Sequence, residues 1–228
     1  MNGELAQCLA IATHVTMWLA DSSGGRSPSD DLPSLPQFAD LVAFDSVAGI
    51  ETWVERLAED GVDRLWFAVA GLGITDRPAG LVAPVSAAFV GGVPVGLLST
   101  GPAGGRLWQA QWSAGTRVAD GAEILVANYV SEPVSIGPVR VGMDAATQEF
   151  DQALRRAAQF ADRQQLPTWA RVFAAAGRHP ARDGSRQGAH YRDLFPASWP
   201  DLDGPRLADM ALAAWVFGGM GSLDFRSF

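Results

Sequence analysis

Lysine is missing from this chain: all 17 basic residues are arginine. That removes Schiff-base chemistry and any lysine general base. Cysteine is nearly absent, with Cys8 alone, so no internal disulfide can form, which fits a reducing cytoplasm. Histidine is scarce too, at His14, His179 and His190. One cysteine and three scattered histidines leave no Cys/Cys or Cys/His ligand set for a structural zinc. Charged residues make up 18% of the chain, below the roughly 25% of an ordinary soluble domain.

Catalytic signatures are lacking as well. There is no Gly-x-Ser-x-Gly elbow and no His-Glu-x-x-His pair. Two glycine loops invite a phosphate-binding reading and fail it. In the first, Gly71-Leu72-Gly73-Ile74-Thr75-Asp76, aspartate stands at the third glycine position and Arg77-Pro78 follows where a helix should begin. The second, residues 100–106, has no Gly-Lys-Ser/Thr ending and runs into a strand. We therefore assign no catalytic residue, no metal and no cofactor, and leave open whether the protein is an enzyme.

What is present is apolar. Hydrophobic residues reach 48%, with eight tryptophans, more than a compact monomer of 228 residues readily covers. A homo-oligomer would absorb the surplus, and so would a ligand cleft. The net charge of −8 is unevenly placed. Up to Phe150 there are seven arginines against seventeen acids; from Asp151 onward, ten against eight. An acidic front half argues against nucleic-acid binding, where phosphate contacts dominate affinity. It suits a basic protein partner, although plain solubility accounts for it too.

The centre of the chain, residues 84–131, reads as an antiparallel meander. Residues 85–90 and 93–99 flank Gly91-Gly92, a pair able to take the positive φ of a hairpin turn. In residues 106–113, Trp108, Ala110 and Trp112 alternate with Gln109, Gln111 and Ser113, the period of a sheet with one buried face. Residues 123–131 are apolar on both sides and belong at the centre of the sheet. Residues 64–70 form a further, continuously apolar strand.

Helices surround this sheet. Residues 4–20 carry Leu5, Leu9, Ala12, Val15 and Leu19 on one side. The stretch has no positive n-region and is too short and polar to span a bilayer, so it reads as a core helix of a cytoplasmic protein. Asp45 or Ser46 should cap a helix that runs to Glu59, with Ile50, Val54 and Leu57 inward. Glu51, Glu55 and Glu59 then line one outer face at i, i+4 spacing and form the candidate partner-binding residues. Asp144 should cap a long helix to about residue 165, with Phe150, Leu154, Phe160 and Ala161 inward and Arg155 and Arg156 outward. A shorter helix starts at Pro167, and a last one at Asp203 or Gly204.

Residues 178–192 hold Arg178, His179, Arg182, Arg186, His190 and Arg192. Arginine forks pair bidentately with carboxylates and phosphates, so these are candidate anion-binding residues. A solvated basic loop balancing the acidic front half is the competing reading.

The last helix enters Phe217-Gly218-Gly219-Met220-Gly221-Ser222. This ending resembles the C-terminus of small bacterial proteins without an established activity. Ala153-Leu154-Arg155-Arg156-Ala157 and Trp169-Ala170 are similar to the helices that precede it in them. The resemblance covers about the last third of the chain. Leu223-Asp224 stands where those proteins often carry Asn-Asp. It implies family membership and no activity.

The fold expected is α+β: an antiparallel sheet of about five or six strands packed with N- and C-terminal helices. One domain spans 1–228, with a sheet core at about 63–141 and a helical part at 143–228. The function expected is a non-catalytic protein-binding module of the immunity or regulatory kind. It would take a basic protein partner and self-associate, without nucleic acid or membrane. The alternative is an enzyme or binder of a small anionic ligand that uses residues 178–192.

Overall fold

The computed structural model describes residues 3–21, 28, 32, 39, 41–45, 47–69, 95–117, 119, 121–135, 142–177, 194–196, 198–200 and 203–214. The fold is α+β. Contacts divide the chain into two compact units, a sheet unit of residues 2–139 with 193–197 and a helical unit formed by most of the remainder.

The sheet unit contains α1 (Gly3–Asp21), β1 (Leu41–Phe44), β2 (Val47–Ala48), α2 (Ile50–Glu59), β3 (Arg64–Val69), β4 (Val95–Gly101), β5 (Gly104–Thr116) and β6 (Glu123–Val134). Its strands lie in the order β2-β1-β6-β5-β4-β3. The sheet is mixed, which corrects the purely antiparallel expectation. β1 runs parallel to β6, Leu41 beside Val126 and Phe44 beside Tyr129, while every other pair is antiparallel. A parallel pair needs a long crossover, here the whole passage from α2 through β5, and no local pattern announces it.

The period of two in β5 is borne out: Trp108, Ala110 and Trp112 are buried, and Gln111 and Ser113 are exposed. β6 lies between β1 and β5, as its two apolar sides require. The β4–β5 hairpin turns at Pro102-Ala103, closed by the Gly101–Gly104 pair, with Gly104 at φ 108°. The proposed hairpin across Gly91-Gly92 lies outside the described residues.

β3 is an edge strand among the described residues, with Leu65 buried and Trp66, Phe67 and Ala68 half-buried. Unpaired edge groups template further pairing unless something covers them. Helix α1 supplies the cover: the Thr16 hydroxyl donates to the Leu65 carbonyl (3.0 Å) and accepts from the Leu65 amide (3.1 Å). That helix is buried almost all round, with every residue from 10 to 15 under 9% exposed and Trp18 and Leu19 beyond them. A helix apolar on all sides belongs inside a core, so the single stripe expected of it understates its burial.

The helical unit contains α3 (Met143–Arg163), α4 (Pro167–Ala176) and α5 (Asp203–Ala213). Leu154, Ala176 and Met210 form its core, with Phe150, Phe173 and Ala214 against them. Proline opens α4, where its missing N–H costs nothing. Gly142, rather than Asp144, is the N-cap of α3. Phe160 departs from expectation: it stands 56% exposed, on the side away from Leu154 and Ala161.

Candidate functional site

Helix α2 is the element that a site can be built on. Its inner side carries Trp53, Val54 and Leu57, all under 4% exposed. Trp53 stacks on Phe44 of β1, ring centroids 3.7 Å apart and planes within 6°. Phe44 also stacks on Tyr129 of β6 at 5.0 Å, and Trp108 of β5 meets Trp53 edge-on at 5.2 Å. Four rings from one helix and three strands thus fix the helix on the sheet. Each such pair adds about 0.5–1.5 kcal/mol beyond the burial of its area.

The expected cap is not there. The helix starts at Ile50 after Gly49, whose φ of 91° suits glycine, and no side chain caps it. Asp45 is engaged elsewhere. Its Oδ1 accepts from the Ser131 amide at 2.8 Å and its Oδ2 from the Ser131 hydroxyl. Arg106 donates to the same hydroxyl through Nε and Nη2, and that Nη2 lies 3.8 Å from Asp45 Oδ2. The Asp45 amide donates to the Tyr129 carbonyl at 2.8 Å. Asp45 takes φ 44°, a conformation aspartate tolerates better than most residues, and so extends the β1–β6 pairing past the end of β1. With its hydrogen donated to Asp45 and its lone pairs turned to Arg106, Ser131 ties the end of β1 to β5 and β6. This cluster escaped the sequence reading, because Asp45-Ser46 ahead of a helix looks like a cap.

The outer side of α2 presents Glu51, Glu55 and Glu59, all exposed, and Asp60 and Asp63 just beyond are exposed as well. The structure brings the three predicted glutamates together on one face. The other predicted set, Arg178, His179, Arg182, Arg186, His190 and Arg192, lies outside the described residues.

The buried polar groups offer little chemistry. Cys8 Sγ and Tyr129 Oη lie 3.5 Å apart, both fully buried, with Gln7 buried beside them. Burial above all pushes the Cys8 thiol from its ordinary 9.0 to about 12, against the opposing effect of its bond to Tyr129, with a lesser push from the nearby Glu4 carboxylate. Burial likewise raises Tyr129 well above its ordinary value. A thiol held protonated is a poor nucleophile and a poor metal ligand. His14 is buried on α1, 4% exposed, within the core rather than at a surface site. Among the described residues, no group of three or more His, Cys, Asp or Glu side chains could hold a metal ion. Nor is any helix among them long and apolar enough to cross a membrane.

Compared with protein-family models, with curated proteins and with solved structures, the chain matches none.

Proposed function

We propose that this protein is a non-catalytic binding module of the cytoplasm, immunity-like or regulatory in kind, that takes a basic protein partner on the outer face of α2. One observation carries the reading: three exposed glutamates in a single row stand on a helix whose inner side is locked to the sheet by Trp53. A charged face on a fixed helix loses little backbone freedom when it docks, so more of the attraction is kept as affinity. The acidic balance of the front half extends that attraction outward and speeds encounter with a positive surface.

The test is titration with arginine-rich helical peptides, read by fluorescence anisotropy at low and physiological salt. The parent should bind and lose affinity as salt rises. Glu51→Gln/Glu55→Gln/Glu59→Gln should bind about tenfold more weakly or worse, at roughly 0.5 kcal/mol per exposed charge. The triple variant should melt at or slightly above the parental temperature, since the row repels itself mildly. Equal binding by parent and variant would remove α2 from the mechanism. Residues 178–192 and an anionic ligand would then be the reading to pursue.

A further inference from the structure

We infer that the outer face of α3 is a docking surface for a second copy of this chain, whose α2 face is its occupant. The inference rests on the reading of α2 as an interaction face and names one partner for it.

The starting observation is Phe160. It sits in the last turn of α3 and is 56% exposed, although the side of the same helix that Leu154 and Ala161 occupy is buried, at 5% and 3%. Arg156 and Arg163, one turn to either side of it, share its face, and both are exposed. Leu166, just past the helix, is 45% exposed. Arg155, by contrast, is turned to Asp151 at 2.6 Å and does not belong to this row. Glu149 lies on the same side, about 10 Å from Arg156 towards the N-terminus, so the positive charge is concentrated at the C-terminal half of the helix. The face is therefore an aromatic ring between two arginines. An aromatic anchor with arginine at its rim is the composition enriched where proteins meet.

Its complement is on the same molecule. Arg156 and Arg163 are seven residues apart, about 10.5 Å along a helix; Glu51 and Glu59 are eight apart, about 12 Å. Two arginines can thus span the three-glutamate row, and Phe160 between them can lie on the aliphatic stems of the glutamates. Neither face suits a copy of itself, since each would set like charges together. Pairing α3 with α2 brings opposite charges together. Two such contacts formed at once close a dimer, and contacts formed singly propagate a chain.

The experiment is a mixing test on the full chain, with mass read by light scattering and sedimentation at 0.05 M and 0.5 M salt. The parent should exceed 24.1 kDa at low salt and fall towards it at high salt. Arg156→Glu/Arg163→Glu makes both faces acidic and should be monomeric. Glu51→Arg/Glu55→Arg/Glu59→Arg makes both basic and should be monomeric too. Mixed one to one, each variant meets the charge it lacks, and the mass above monomer should return. Phe160→Ala, which keeps the helix because alanine favours it, should weaken parental association about tenfold. A parent monomeric at every concentration overturns the inference, and so does a mixture that stays monomeric while both variants retain parental circular dichroism. Should a variant fail to fold, the salt and Phe160→Ala measurements decide alone, and association indifferent to both overturns it. A monomeric parent that still binds arginine-rich peptides through its three glutamates would sink this inference and leave the reading of α2 standing.

Discussion

At the scale of single residues, the sheet unit keeps its ionisable core groups neutral. Cys8 and Tyr129 meet at 3.5 Å where no water reaches them, and both hold their protons above their ordinary range, Cys8 to about 12. Their folded-state values are raised, so the unfolded chain ionises first. The stability they contribute is complete below pH 9 and is lost as the pH climbs from there towards 12. Each group can steepen the loss to about 1.4 kcal/mol per pH unit. Urea unfolding followed from pH 8 to 11 should therefore show falling stability, and Tyr129→Phe should flatten the fall. The native thiol should also resist a disulfide reagent at pH 8 that labels it at once in urea. Rapid labelling of the folded protein would mean that Cys8 is not buried as described.

Elements depend on close approaches that composition does not reveal. Gly96 in β4 pairs with Ala68 of β3, next to the Leu97–Trp108 pair of β4 and β5, and a Cβ added to it would lie 2.6 Å from the Trp108 carbonyl oxygen. Backbone cannot yield as a flexible side chain can. Gly96→Ala should cost about 1–3 kcal/mol in a chemical-denaturation experiment. Gly142→Ala, where an added Cβ meets nothing within 4 Å, is the comparison without a clash and should cost under about 1 kcal/mol, from exchanging glycine for alanine at the N-cap of α3. Parental stability in Gly96→Ala would place β4 further from β5 than the register implies.

The sequence was most legible where side chains alternate or cycle over several residues. Trp108, Ala110 and Trp112 announced the buried face of β5, and the i, i+4 glutamates announced the outer face of α2. It was least legible in short or long-range features. Four residues, Leu41–Phe44, make too brief a run to distinguish strand from helix, and their parallel partner is more than eighty residues away. Asp45 looks like a cap in sequence because its bond to Ser131 depends on that same pairing. The sequence alone puts Phe160 inward, because an aromatic near an apolar stripe normally belongs to it. Only the rotation of α3 against α4 and α5 decides that it faces out.

On the scale of the whole molecule, charge is the property most open to test. The first 150 residues carry seventeen acids against seven arginines, and the acids include a row of exposed glutamates one helical turn apart. Adjacent like charges at that spacing cost about 0.2–0.5 kcal/mol per pair, and the wider imbalance adds diffuse self-repulsion. Salt shortens the reach of such repulsion from about 30 Å at 0.01 M to about 8 Å at 0.15 M. Stability should therefore rise with sodium chloride over that range, by up to about 1 kcal/mol if the glutamate row dominates. A molecule held together by surface ion pairs would respond in the opposite sense. Arg155–Asp151 and Arg106–Asp45 lie at the surface, where such pairs are worth about 0–1 kcal/mol. The comparison that isolates the cause is Glu51→Gln/Glu55→Gln/Glu59→Gln. Without the row, the rise with salt should shrink while stability at low salt increases. A melting temperature that falls as salt is added, in parent and variant alike, would show that attraction outweighs repulsion across this surface, and the acidic face would then be a balanced one.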